Sequence, residues 1–433
     1  MNSLAAKNAK GAKVWPMVRL GDVCETLTDG DWIESKDQSY EGIRLIQTGN
    51  VGDGRFLKKE NRARYISLDT FQRLKCTEIF PGDVLVSRLP EPVGRACVVE
   101  DIGLRMITAV DCSIIRFTKD VYAKYFVMFS QSPKYQESIS FLVTGTTRAR
   151  ISRKNLSNIQ IPLPPIEVQK EIVERLEKEL GEADKVAAEF KRMAELADKE
   201  FKAELDEMFG GLGEKESGVS SQELGLAAKN AKSAKPWPMV RLGDVCEFRR
   251  GLTYAKADEV SYSSKVVLRS NNVDLESGEL NLNDLKYLRE DFEVPVEKII
   301  EPNTLLMCIA NGSKSHLGKV ALIEQDFKYA FGGFMGLLVP RNINSKYLYY
   351  FLSAPLFKAY VKSLQDGANI NNLKFSDFSE FQIPLLPIEV QKGIVAKLDA
   401  AKERCEKLKA EAERGLRAAE NLRKAILSEA FEL

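Results

Sequence analysis

Two stretches of the chain carry a helical rhythm much longer than anything around them. From Ile166 to Phe209 apolar residues return at Ile172, Leu176, Ala183, Val186, Phe190, Met193, Ala197, Phe201, Leu205 and Met208. From Ile388 to Phe431 they return at Ile394, Leu398, Ala401, Cys405, Leu408, Ala412, Gly415, Ala419, Leu422 and Ile426. Intervals of four and three with charged flanks predict two helices, each with one apolar seam. Pro164 and Pro165 stand where a helix start tolerates proline. Each helix is ~65 Å long at ~1.5 Å rise per residue. A lone seam of that length needs a partner, and the other helix supplies one. A whole globular region separates the two, so no short hairpin dictates their direction. Antiparallel pairing is expected, which sets the globular regions at opposite ends of a circularly two-fold molecule.

The intervening regions follow a different pattern. Short apolar runs at Ile43–Gln47, Asp83–Ser87, Ala96–Val99 and Asp111–Phe117, separated by turn residues, predict strands. A helix is expected near the end of each region, over Val121–Ser140 and Ile343–Leu364. The fold class is therefore α+β, with two similar globular domains joined by two long antiparallel coiled-coil helices in a pseudo-two-fold circular arrangement.

The halves also repeat as letters. Trp15–Glu25 (WPMVRLGDVCE) returns unchanged as Trp237–Glu247, Leu4–Lys13 returns as Leu226–Lys235, and Ile161–Lys170 returns as Ile383–Lys392. Each second copy stands 222 positions after the first. Between these frames the sequences have diverged. This divides the chain into an N-terminal segment (1–14), a first domain (15–164), a first spacer helix (165–209), a linker (210–236), a second domain (237–386) and a second spacer helix (387–433). The duplicated Trp15 and Trp237 suit aromatic anchors, and Arg19 and Arg241 suit pairing with local carboxylates rather than ligand contact.

Composition narrows the function. The chain has 433 residues, 44% of them apolar, and a net charge of +1. It has no ~18-residue apolar run. Seven scattered cysteines, without a C-x-x-C pair, argue against a disulfide framework or a zinc site. A cytoplasmic protein is expected, with no membrane span. The single histidine, His316, excludes a Ser-His or Cys-His site in each half. Asn311–Lys319 superficially resembles a phosphate-binding loop. However, five residues separate Gly312 from Gly318 instead of four, and Val320 stands where a hydroxyl would hold magnesium. No catalytic, cofactor or metal constellation emerges, so a non-enzymatic binder is the reading.

Polar loops at matched places carry the binding signal. In the first half the candidates are Thr48, Asn50, Arg88, Arg95, Thr146, Thr147, Arg148, Arg150 and Lys154. In the second they are Arg269, Asn271, Asn272, Asn311, Ser313, Lys314, Asn369, Asn371, Asn372 and Lys374. Arginine reads guanine edges, asparagine reads adenine, and lysine and hydroxyls hold phosphates. Ser138 to Ile166 contains no acidic residue but does contain Arg148, Arg150, Arg153 and Lys154. That loop would approach DNA without carboxylate repulsion. Different side chains on an equivalent loop are expected of two readers of different sequence.

The opening motif of each half, the Ile-Pro-Leu-Pro-Pro-Ile-Glu-Val-Gln-Lys motif and the long helix after it resemble the specificity subunits of type I restriction-modification enzymes. Gly82–Arg88 (GDVLVSR) also resembles that family's target-recognition domains; the second half departs there, at Asn303–Cys308. The resemblance implies that each domain reads one part of a bipartite, asymmetric site on double-stranded DNA. It implies helices that set the spacing and dock two methyltransferase subunits, with a motor–nuclease subunit added in the restriction enzyme. S-adenosylmethionine would belong to the methyltransferase, and this chain would bind no cofactor. The alternative is a non-enzymatic coiled-coil scaffold whose globular domains bind proteins or peptides.

Overall fold

The structure is a computed structural model that describes residues 15–145, 149–209, 237–275, 277–366 and 372–431, with the backbone of 6–7 and 13–14. It divides into two compact units, Met1–Lys191 with Glu413–Leu433, and Arg192–Ala412. Each unit thus combines one globular region with part of both long helices.

The repeated frame is a clasp. Strand Met17–Arg19 pairs antiparallel with Gln160–Pro162, so the opening and closing motifs of the first half are hydrogen-bonded to each other. Met239–Arg241 and Gln382–Pro384 repeat the pairing, with Val240 opposite Ile383 where Val18 stands opposite Ile161. Arg19 holds Asp22 through two bonds of 3.0 and 2.9 Å, and Arg241 holds Asp244 likewise, as the sequence suggested. Gly21 and Gly243 lie where an added Cβ would come within 3.1 Å of Ser157 and Ser379, so glycine lets the short helices Arg153–Ser157 and Phe375–Ser379 close over the motif.

Two four-stranded sheets follow in each unit. The first unit orders Cys24–Asp29, Cys112–Phe117, Val84–Ser87 and Ala96–Val98 in an antiparallel sheet. Its second sheet orders Tyr65–Ile66, Ile43–Ile46, Met106–Thr108 and Glu78–Ile79, with one parallel pair, Ile43–Ile46 beside Met106–Thr108. The second unit repeats the antiparallel sheet; its other sheet orders Glu259–Val260, Lys286–Leu288, Lys265–Leu268 and Ala330–Phe331, and keeps the parallel pair, Lys265–Leu268 beside Ala330–Phe331, at the edge. Ile43–Ile46 and Val84–Ser87 are buried at every position, which explains apolar runs rather than alternation. The expected single helix in each region is two. Ala123–Ser130 and Pro133–Leu142 break at Ser132, whose hydroxyl accepts from the Tyr135 amide, and Pro133 occupies the first turn. Pro355 breaks Ser345–Ser353 from Pro355–Asp366 in the same way, because the residue before proline is pushed out of helical geometry.

Both long helices run as expected, Ile166–Phe209 and Ile388–Phe431, 44 residues each. Within the first unit Phe190 lies against Gly415, and Asp184 bonds Arg423 at 2.8 Å. Within the second, Asp198 bonds Lys409 at 2.9 Å and Glu204 bonds Arg404 at 2.7 Å. Numbering rises along one helix as it falls along the other, so in each unit the helices are antiparallel. A Cβ at Gly415 would stand 2.4 Å from the Phe190 ring, which accounts for glycine inside a helix. The seam differs from the expected one in detail: Val173, Leu180 and Leu427 are buried, while Val186 (48%) and Leu422 (52%) are exposed. A straight helix drifts about 20° per heptad from a strict 3.5 repeat, which shifts the buried stripe.

Each helix is fixed at both ends. Gln169 is fully buried; its Oε1 accepts from the Tyr122 amide and its Nε2 donates to the Asp120 and Pro164 carbonyls. Gln391 does the same with the Asn344 amide and the Leu386 carbonyl. At the far ends Phe431 packs on Tyr125 and Phe129, and Phe209 packs on Tyr347 and Phe351. The helix that closes each half therefore ends in the other half's domain.

Candidate nucleic-acid interface

In the first unit the loops at residues 47–51 and 88–95 meet each other and the segment 149–151. Arg95 joins the first two. Its Nε donates to the Val51 carbonyl at 2.6 Å, and its terminal nitrogens donate to the carbonyls of Leu89, Pro92 and Thr48 at 2.8–2.9 Å. Burial pushes its pKa below the ordinary guanidinium value. Arg88 joins the second and third: its Nε donates to the Ile151 carbonyl, the Ile151 amide donates to the Arg88 carbonyl, and its guanidinium pairs with Asp29 at 2.6 Å. Asn50 closes its own turn, accepting from the Gln47 amide and donating to the Leu57 carbonyl.

The second unit builds the same junction from different residues. Asn272 accepts from the Arg269 amide and donates to the carbonyls of Asn281 and Asp284. Asn311 donates to the Ser270 hydroxyl at 3.0 Å. Lys319, buried, donates to the Val273 carbonyl at 2.6 Å, matching the bond from Arg95 to Val51. Ala310 and Asn372 form an antiparallel bridge, and the Leu373 amide donates to the Ile309 carbonyl, at the place where the Ile151 amide donates to the Arg88 carbonyl in the first unit.

Four expected contact residues are therefore corrected. Asn50, Arg88, Arg95 and Asn272 are each less than 9% exposed, with their side-chain polar groups engaged in holding the loops. They build the surface and do not face it. Thr48 is half-buried, and its carbonyl is taken by Arg95. Arg150 is half-exposed but pairs with Asp111 at 3.1 Å, so a carboxylate distant in sequence sits beside the acid-free segment. Arg269 pairs with Asp284 at 3.1 Å, and Asn271 donates to the same carboxylate at 2.6 Å. The Nε atoms of Arg150 and Arg269 are buried without a hydrogen-bond partner among the described residues. Lys154, Ser313, Lys314, Asn372 and Lys374 are exposed. Thr146, Thr147, Arg148, Asn369 and Asn371 lie outside the described residues.

Lys319, Gln169 and Gln391 are structural residues that the sequence reading did not single out. The glutamines carried a signal, since both sit in the repeated Ile-Glu-Val-Gln-Lys motif. Lys319 carried none, because it stands two places beyond the offset that would match Arg95. His316 falls in a short 3-10 turn, Lys314–His316. Among the described residues no group of three or more His, Cys, Asp or Glu side chains is placed to hold a metal ion. No helix among them is long and apolar enough to cross a membrane. Burial pushes the thiols of Cys24, Cys97, Cys112 and Cys246 up to about 12.

Two globular regions of one fold, each with a loop junction of the same construction and each clasped to a long helix, define a repeated recognition module. A family model for the type I restriction modification DNA specificity domain matches residues 12–182 and 234–414. The chain belongs to the family of type I restriction-modification specificity subunits. It is 30% identical to the type I restriction enzyme EcoKI specificity subunit of Escherichia coli strain K12 over 200 residues, 45% of this chain and 42% of that protein. It is 30% identical to the StySPI specificity subunit of Salmonella potsdam over 203 residues, 46% of this chain and 43% of that protein. The match thus spans less than half the length of either relative. A solved chain from work on complex assembly and conformational transition of the type I R-M system shares the fold. Its TM-score is 0.69 at 19% identity, over 96% of this chain and 97% of that one.

Proposed function

We propose that the chain is the sequence-reading subunit of a type I restriction-modification complex, each domain reading one part of a bipartite, asymmetric DNA site. The observation that carries this is the paired loop junction. Buried struts hold equivalent loops in both units, Asn50 and Asn272 in their turns and Arg95 and Lys319 beneath them. The exposed and half-exposed side chains above the struts differ: Arg150 and Lys154 in one unit, Arg269, Asn271, Asn372 and Lys374 in the other. A shared scaffold with unlike polar tips suits two readers of different base sequences.

The long helices act as spacers and as docking surfaces for two methyltransferase subunits. At ~1.5 Å per residue their length is ample to hold two domains one DNA turn, ~34–36 Å, apart. S-adenosylmethionine binds to the methyltransferase, which flips its target base out of the stack. A motor–nuclease subunit completes the restriction enzyme. This chain supplies no catalytic group. Purified chain with duplex DNA and labelled S-adenosylmethionine is expected to transfer no methyl group. Adding the methyltransferase subunit should give site-specific transfer and retain duplex on a filter. Transfer by the chain alone, or a complex that retains no duplex, would contradict this reading and leave the protein-binding scaffold.

A further inference from the structure

The second unit has a cavity of about 620 Å³ bounded by the Asn311–Lys319 loop, the helix Pro355–Asp366 and the first long helix. Five lysines line it, Lys202, Lys314, Lys319, Lys358 and Lys362, and among the described residues no carboxylate does. Lys202, Lys358 and Lys362 form no ion pair among the described residues. Lys202, Lys358 and Lys362 are exposed at the rim, and crowding by the cavity wall, then the charge of Lys202, push the Lys358 ammonium below the ordinary lysine value. The three ammonium groups that form no ion pair, those of Lys202, Lys358 and Lys362, gain from an anion placed among them.

Charge next to this cavity changes sign abruptly. Leu275 borders the lysine cavity, and Gly278 and Glu279 border a second one, of about 510 Å³. Five carboxylates line the second against only Lys346 and Lys402. A polyanion is repelled from the second cavity and drawn to the first. The first unit lacks the pattern: Gln136 and Ser140 stand 222 positions before Lys358 and Lys362, on the equivalent helix.

We propose that the lysine cavity is a seat for the DNA sugar–phosphate backbone beside the half-site read by the second unit, with no equal in the first. The inference rests on the DNA-reading function above. Lysine suits this task because its compact ammonium holds a phosphate as a point charge without reading sequence. The sequence-independent share of affinity is therefore divided unequally between the two halves.

Salt titration tests it, with the full chain assembled with its methyltransferase. Each phosphate contact contributes about 0.9 to the slope of log affinity against log salt. Lys358→Gln with Lys362→Gln should flatten that slope by about 1.8, so that raising salt from about 50 to about 200 mM weakens the variant about twelve-fold less than the parent. The bases recognised should not change. Lys202→Gln, alone on the long helix, should flatten it by about 0.9, which covers the case of a double variant that does not fold. Gln136→Ala with Ser140→Ala should leave the slope as it was. Parental slopes in both lysine variants, or equal flattening by the first-unit control, would overturn the phosphate seat. A parent complex that binds no duplex at all would instead overturn the DNA-reading function itself.

Discussion

Truncating Phe431 to alanine is expected to cost about 3–5 kcal/mol and to loosen the first unit selectively. The ring is 2% exposed and meets Tyr125 and Phe129 edge-on, with centroids at 5.6 and 5.3 Å. Beyond buried area, such aromatic pairs each contribute about 0.5–1.5 kcal/mol. Phe209 occupies the equivalent place in the second unit, fully buried against Tyr347 at 5.8 Å and Phe351 at 5.1 Å. Phe209→Ala should therefore loosen the second unit by a similar amount. Hydrogen exchange distinguishes the two variants. Phe431→Ala should lose protection over 123–142 and the end of the second helix, and Phe209→Ala over 345–366 and the end of the first. A cost below about 1 kcal/mol, or the same regions opening in both, would contradict the plug arrangement.

Arg95→Ala has the next largest expected effect, and it joins stability to function. Four carbonyls, of Val51, Leu89, Pro92 and Thr48, lose their donor together. At about 1–3 kcal/mol for each buried acceptor left unpaired, and with water reaching the more open ones, the loss is roughly 3–4 kcal/mol. The loops at 47–51 and 88–95 should separate, so that the first half-site becomes degenerate in the methylated sequence while the second is still read. Arg95→Lys should recover part of the loss, because Lys319 holds Val273 in the other unit with one such bond. Denaturant unfolding gives the energetic part and methylome sequencing the functional part. A stable Arg95→Ala variant with the parental recognition sequence would show that this junction does not organise the reading surface.

Much of the architecture could be read from the chain. The helix bounds, the antiparallel pairing within each unit and the internal strands follow from periodicity and from the fixed spacing of the repeat. The break at Ser132-Pro133 was missed although the proline was in plain view, because the apolar pattern continues across it. The short edge strands Tyr65–Ile66 and Glu78–Ile79 were missed because two residues carry no periodicity.

The candidate site was harder to read, for a physical reason. Polar residues in a loop serve either the loop or its ligand, and only burial separates the two roles. Arg88 and Arg95 look like ideal DNA contacts in sequence, yet both end among backbone carbonyls. Asp111 and Asp284 approach Arg150 and Arg269 through sheet and turn geometry that spacing does not reveal. The counterparts Arg95 and Lys319 escaped notice because loop lengths differ between the halves, so the constant offset fails where the surface diverges.

The most direct test of the account duplicates one domain. Residues 237–386 are replaced by a second copy of residues 15–164, the chain is expressed with its methyltransferase subunit, and the methylated sites are read from the genome. The account predicts a site in which the first half-site occurs twice, at the parental spacing, and in which the second half-site has disappeared. Persistence of the parental asymmetric site, in a chain that folds and assembles, would contradict the claim that each half reads its own part of the DNA.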